Sequence, residues 1–484
     1  MKKIFIIFAA GLSLASCKKL SDMNVDTKSA ENGEAPSHTL FANATRNLMD
    51  QVETPSVNAN VMRCCAQFWT ETTYTDESNY DLTTRKIPDN EFIFIYRDVL
   101  SDLKEAKKLI ENEGDDIASP AVRKNKVAVT EILSVYAMQR EVDVFGNVPY
   151  SEALNIDNVL PKYDDAQSIY AALFTRLDNA IKMIDTKEDG FPAGYDVIYG
   201  SNMDSWKAFA NSLKLKMAIT VSDVPALNPG TKAAEAFAEG VIGKGQSARY
   251  QYLGASPNGN PVWVQLVASG RYDWVAANTL VDKMNDLNDP RRSKYFEDNI
   301  KDSLGNVIYV GGEYGNSNDY EVYTHITQTI QAPTWMGNLM DYSEVQFYLA
   351  EAAARGFIAG SAKTFYDEAI TSSIEAWGGT AAEASDYLAQ DKVDYSKTTS
   401  GATFEEKIGT QAWIALFERP DAAWTTYRRL DFPKLQKAFK SEKESPFRYT
   451  YPINEQTLNG ANYSEAAAAI GGDYQTTKLF WDKH

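Results

Sequence analysis

Histidine and cysteine are nearly missing from this 484-residue chain, with three of each: His38, His325 and His484, and Cys17, Cys64 and Cys65. Three scattered histidines form no metal-ligand spacing, so no metal centre is expected. Cys64 and Cys65 are adjacent, and a disulfide between neighbours closes a strained ring. No disulfide framework is therefore expected, and the pair reads as two small buried apolar side chains. Basic charge is also scarce. Lys and Arg number 48 against 66 Asp and Glu, for a formal net charge of −18. Such a chain repels phosphate backbones and anionic headgroups, which argues against nucleic acid as a partner. Beyond residue 17 no apolar run approaches the length a membrane-crossing helix needs.

What is present begins at the N-terminus. Lys2 and Lys3 precede the apolar run Ile4 to Leu12, and Leu14-Ala15-Ser16-Cys17 follows. A basic start, a short apolar run and a small-residue site make a secretory signal over residues 1–16. The cysteine after the site resembles a bacterial lipobox, which would leave Cys17 as a lipidated N-terminus anchored in a membrane. Residues 17–36 are polar and poor in rings, a flexible tether. Residues 37–484 read as one globular domain.

That domain is mainly α. Apolar side chains recur at three- and four-residue spacings over 91–112, 121–144, from Asp164 to Ile184 and over 204–222. They recur again over 342–357, 361–377, 403–418 and 421–437. The 342–357 and 361–377 pair, joined at Gly356 to Gly360, resembles a tetratricopeptide-type hairpin. The expected architecture is a scaffold of such hairpins with a loop-rich insertion at about 223–340, rich in Gly, Pro, Asn and Tyr and carrying short helices and strands. Long irregular insertions in compact proteins are usually functional.

Several stretches together resemble a known family. They are DVFGNVPYSEAL (143–154), DSWKAFANSLKLKMAI (204–219), NDPRRSKYF (288–296), YSEVQFYLAEAAARG (342–356), AWIALFERPDAAWTTYRRLDFPKL (412–435) and RYTYPINEQTLN (448–459). In this order, with Cys17 ahead of them, they resemble the SusD/RagB nutrient-binding outer-membrane lipoproteins of Bacteroidetes, in the SusD-like branch. The resemblance implies four tetratricopeptide-like pairs and a loop-borne ligand site. It also implies a partner, a SusC-like TonB-dependent β-barrel over which the lipoprotein sits as a hinged lid. The ligand would be an oligosaccharide or an oligopeptide. Lys18 and Lys19, ahead of the first acid at Asp22, depart from the acidic start common in surface-exported lipoproteins of that phylum.

Saccharides present apolar C–H faces and many hydroxyls, so a receptor needs flat rings beside Asn, Asp, Gln or Arg; a peptide makes similar demands. Three clusters meet them: Trp69, Tyr74 and Tyr80 with Asn79; Trp263, Tyr272 and Trp274 with Arg271; and Trp335 beside Gln331. No catalytic residue is assigned, because no G-x-S-x-G, H-E-x-x-H or Walker-type loop occurs. No cofactor is expected. A structural calcium is compatible with so acidic a chain, although no twelve-residue calcium loop is present. A secreted, lipid-anchored hydrolase and a helical-repeat scaffold are the alternative readings, since the paired carboxylates of a glycosidase are a spatial feature.

Overall fold

The computed structural model describes residues 35–484; the signal, Cys17 and the tether up to residue 34 lie outside that range. Helices begin where a side chain can take up a free backbone N–H. Ser119 receives Val122 N at the start of the helix Pro120–Phe145, Asn202 receives Ser205 N at Met203–Thr220, and Asp341 receives Glu344 N at Tyr342–Ala354. Each such cap contributes about 1 kcal/mol.

The longer helices are α1 (Ser37–Glu53), α2 (Ser101–Glu111), α3 (Pro120–Phe145), α4 (Ala166–Met183), α5 (Met203–Thr220), α6 (Pro229–Glu239), α7 (Tyr342–Ala354), α8 (Ala362–Ala376), α9 (Phe404–Ala415) and α10 (Pro420–Leu430). Ahead of α2, an α-helical turn Ile87–Ile93 and a π-helical stretch Phe94–Leu100 make residues 87–111 one continuous rod. Successive helices pack as pairs: α3 with α4, α5 with α6, α7 with α8, and α9 with α10, while α1 lies on α2. This is the tetratricopeptide-like scaffold. The helix α3 is buried on all sides from Ala128 to Phe145 and stops at Gly146, whose φ of 87° suits a residue without Cβ.

Two stretches differ from the periodic reading. The helix expected over 421–437 ends at Leu430, because Asp431 turns left-handed (φ 59°) and Pro433 cannot continue the ladder. The insertion expected from about 223 is helical over α6, where Pro229 opens the helix and Gly240 closes it. The short strands form three antiparallel pairs: β1 (Trp69–Glu71) with β5 (Trp274–Ala276), β2 (Val148–Pro149) with β3 (Tyr163–Asp164), and β4 (Ala248–Tyr250) with β6 (Gly337–Met340). Cys64 and Cys65 are buried free thiols, as expected.

One apolar core fills the space among α1 to α6, and a second lies under α7 to α10 and the insertion. Between the helices runs a buried charge network. Arg419 Nη1 meets Glu344 Oε2 at 2.7 Å, Arg140 Nε meets Glu91 Oε1 at 2.7 Å, and Arg140 Nη1 meets Asp421 Oδ2 at 3.3 Å. Lys216 Nζ stands 3.8 Å from Glu344 Oε1. Arg428 lies 3.7 Å over the Trp424 ring and donates to the Asp143 and Phe447 carbonyls, while Arg429 pairs with Glu351. Asn211 donates to the Gly240 carbonyl, so this polar group among apolar neighbours is satisfied.

Burial alone would raise the Asp421 carboxyl, but Arg419, Lys216 and Arg140 outweigh it and hold it at about 2. Its folded value lies below its ordinary one, so its contribution is present above about pH 4 and is lost as pH falls towards 2. The amount is on the order of 2 kcal/mol. Arg419→Met leaves the Glu344 carboxylate buried and short of its nearest cation. Urea unfolding is expected to show a loss of about 3–5 kcal/mol at neutral pH. A loss under 1 kcal/mol would mean that the buried Glu344 carboxylate does not depend on Arg419.

Candidate functional site

The β1–β5 pairing sets Trp69 opposite Ala276 and Glu71 opposite Trp274. Trp69 is fully buried beneath the Arg63 guanidinium, and its ring lies 5.9 Å from that of Trp274. These two indoles form the floor of the site, with only the edge of Trp274 reaching a cleft. After β1 the chain turns back through Tyr74, which adopts a left-handed φ of 55° and is 69% exposed. A non-glycine residue in that region stores about 1–3 kcal/mol, a feature that clusters at ligand sites. The turn returns Glu77 and Ser78 to Glu71, where Ser78 donates through N at 3.0 Å and Oγ at 2.6 Å.

The cleft above this floor has a volume of about 180 Å³ and is lined by Tyr74, Trp274, Glu71, Glu77, Arg85 and Arg271, among others. The Arg271 guanidinium is braced on Asp273, Nη2 to Oδ1 at 3.0 Å. The Glu71 carboxyl is pushed up to about 9, first by burial and then by sharing a hydrogen bond with Glu77. Arg85 pairs with Glu77 on the far side. Below pH 9 the cleft therefore presents two guanidiniums, the Asp273 carboxylate, Glu77 and a neutral acid, a balance suited to uncharged, hydroxyl-rich ligands.

Beside the cleft, Tyr272 is 66% exposed and stands 4.8 Å from Tyr320, which stacks on His325 at 3.8 Å. The Tyr320 phenol is pushed up to about 12 by burial and by nearby Glu297, so it stays a donor through the physiological range. The Tyr272 turn is tied to the β1 turn: Thr72 Oγ1 donates to the Tyr272 carbonyl at 2.7 Å and Thr72 N to the Asp273 carbonyl at 2.9 Å.

Of the residues singled out in the sequence, Tyr74, Arg271, Tyr272 and Trp274 gather at this cleft and its rim. Trp69 belongs to the core. Tyr80 is buried and receives a hydrogen bond from Gln67, and Asn79 is occupied with the Thr75 and Gly315 carbonyls. Trp263 and Trp335 sit on a neighbouring turn joined by Asn260, whose Nδ2 donates to the Trp335 carbonyl. The Trp335 indole donates to Glu418. Sequence reasoning missed Tyr320, Glu71, Glu77 and Arg85. The ring-bearing, glycine-rich GGEYGNSNDYEVY was the available signal for the first.

The structure is thus a helical-hairpin scaffold carrying a loop-built, ring-edged cleft. The family it represents follows from comparison: residues 28–452 match the SusD-like family described as "Starch-binding associating with outer membrane", and the chain belongs to that family. Among solved structures it resembles a chitin-binding protein (25% identity, TM-score 0.80, covering 93% of this chain and 100% of that one). It also resembles a SusD homolog from Bacteroides uniformis (27% identity, TM-score 0.76, 92% and 99%). A chitin-binding SusD homolog from Flavobacterium johnsoniae shares the fold (23% identity, TM-score 0.77, 92% and 98%). No curated protein sequence matches the chain.

Because the folded Glu71 holds its proton above its ordinary value of 4.5, stability is expected to fall as pH climbs from about 4.5 towards 9. Glu71→Gln keeps the acceptor for Ser78 and removes the titration. The melting temperature of the variant relative to wild type is expected to rise between pH 5 and pH 9. A constant difference would mean Glu71 is already ionised in the folded protein.

Proposed function

We propose that this protein captures oligosaccharides at the Tyr74–Arg271–Trp274 cleft and the Tyr272–Tyr320 rim beside it, and delivers them, uncleaved, to an outer-membrane β-barrel transporter of the SusC-like, TonB-dependent type. The observation that carries the reading is the pair of adjoining rings, exposed Tyr272 tilted against half-buried Tyr320, beside the braced Arg271–Asp273 pair. Flat rings receive the C–H faces of sugar units, and the fixed planar polar groups receive hydroxyls. The family description and the chitin-binding neighbour favour a glycan over a peptide. Hydrolysis is disfavoured by the acids themselves. Glycosidase carboxyls stand about 5–9.5 Å apart with the substrate between them, whereas Glu71 is taken up by Ser78 and Glu77 by Arg85. Lipid on Cys17 would tether the domain to the outer membrane through residues 18–36, facing the exterior, and leave it free to swing as a lid.

Titration calorimetry with maltohexaose and chitohexaose tests the capture step. Wild type is expected to bind at least one of them with no release of new reducing ends. Tyr74→Ala and Tyr272→Ala should each cost about 1 kcal/mol, roughly fivefold in affinity, at unchanged melting temperature because both rings are exposed. Trp69→Ala should instead cost about 3–5 kcal/mol of stability. Undiminished affinity in both tyrosine variants would sink the reading.

A further inference from the structure

We infer that the protein holds a second saccharide site, in the cleft where the turn before β4 meets the first turn of α7 and the last turn of α8. This cleft has a volume of about 340 Å³, larger than the first, and shares no lining residue with it. That size is within the ~300–1,000 Å³ of small-molecule sites. The inference rests on the saccharide reading of the first cleft and extends it.

The walls carry the same chemistry as the first site. Trp377 is half-buried, packed edge-on against Tyr295 at 4.5 Å, which fixes the indole while leaving part of it at the cleft. Tyr342 supplies a second half-buried ring. Arg249 is exposed, and among the described residues its guanidinium has no hydrogen-bond or ion-pair partner. Lys244 and Glu375 are paired across the mouth at 2.8 Å. Asp341 is fixed by capping Glu344 N at 2.7 Å. Two cations and two carboxylates thus line the cleft, a balance that matches a neutral sugar better than an ionic ligand.

The two clefts flank one continuous layer of rings. Trp274 and Trp69 stand 5.9 Å apart, Trp69 and Phe417 6.5 Å, and Phe417 and Trp377 6.0 Å. The platforms are therefore rigid with respect to each other. Two weak sites on one rigid body hold a long chain more tightly than either alone, through effective concentration. This places the preference of the protein with oligomers over their short products.

Equilibrium dialysis with labelled maltotriose and chitotriose counts the sites. Wild type is expected to hold two molecules of the accepted trisaccharide. Arg249→Ala, and Ala376→Trp, which fills the cleft from an exposed position, should each weaken one event at least tenfold. Tyr272→Ala should weaken the other roughly fivefold and leave this one unchanged, and melting curves confirm that the variants fold. A wild-type stoichiometry of one, weakened by Tyr272→Ala and untouched by Ala376→Trp, overturns the second site and leaves the first intact. Two events persisting in Ala376→Trp also overturn it. Absence of binding by either trisaccharide to wild type overturns both readings.

Discussion

The buried network of Glu91, Arg140, Lys216, Glu344, Arg419 and Asp421 is the constraint on which the rest of the molecule depends. Its members come from the 87–111 rod, α3, α5, α7 and the entry to α10, segments that are far apart in sequence. Each buried ion left without its partner costs several kcal/mol. Each of these segments must therefore arrive at one depth and one rotation, so that three cations and three carboxylates balance. Apolar packing alone would hold these helices together; the charges restrict how they can be held.

From that hub the site is a short step. Arg419 belongs to the network, and Phe417, two residues earlier, packs against Trp69. Trp69 opens β1, β1 ends at Glu71, and the turn that follows carries Tyr74 to the surface. The other wall arrives through β5, whose Trp274 packs on Trp69 and whose preceding residues are Arg271, Tyr272 and Asp273. Exposed rings on irregular loops thus stand on a floor of buried indoles, and those indoles stand on the scaffold. Loop residues held in this way need little ordering when a ligand arrives, which lessens the entropic cost of binding.

Much of the scaffold was legible because helices announce themselves by spacing and caps: Asp341 before α7 and Gly146 after α3 mark their ends with the chemistry those ends require. The candidate site was legible only in part. Tyr74, Arg271, Tyr272 and Trp274 were found as rings and polar groups in irregular segments, but the same signal also selected Trp69 and Tyr80, which are core. An irregular segment has no period, so its sequence does not say which ring faces inward. Tyr320 escaped because its partnership with Tyr272 spans 48 positions and no local pattern records it. The Glu71–Glu77 pair escaped because two acids six residues apart meet only if the turn between them, with its left-handed Tyr74, closes.

The most direct measurement is to extract the native protein from outer membranes in mild detergent and identify by mass spectrometry everything that accompanies it. The expected result is a lipidated Cys17 N-terminus, a co-purifying β-barrel transporter and retained oligosaccharide. Recovery of the protein alone, or with peptides in place of glycans, would contradict the account.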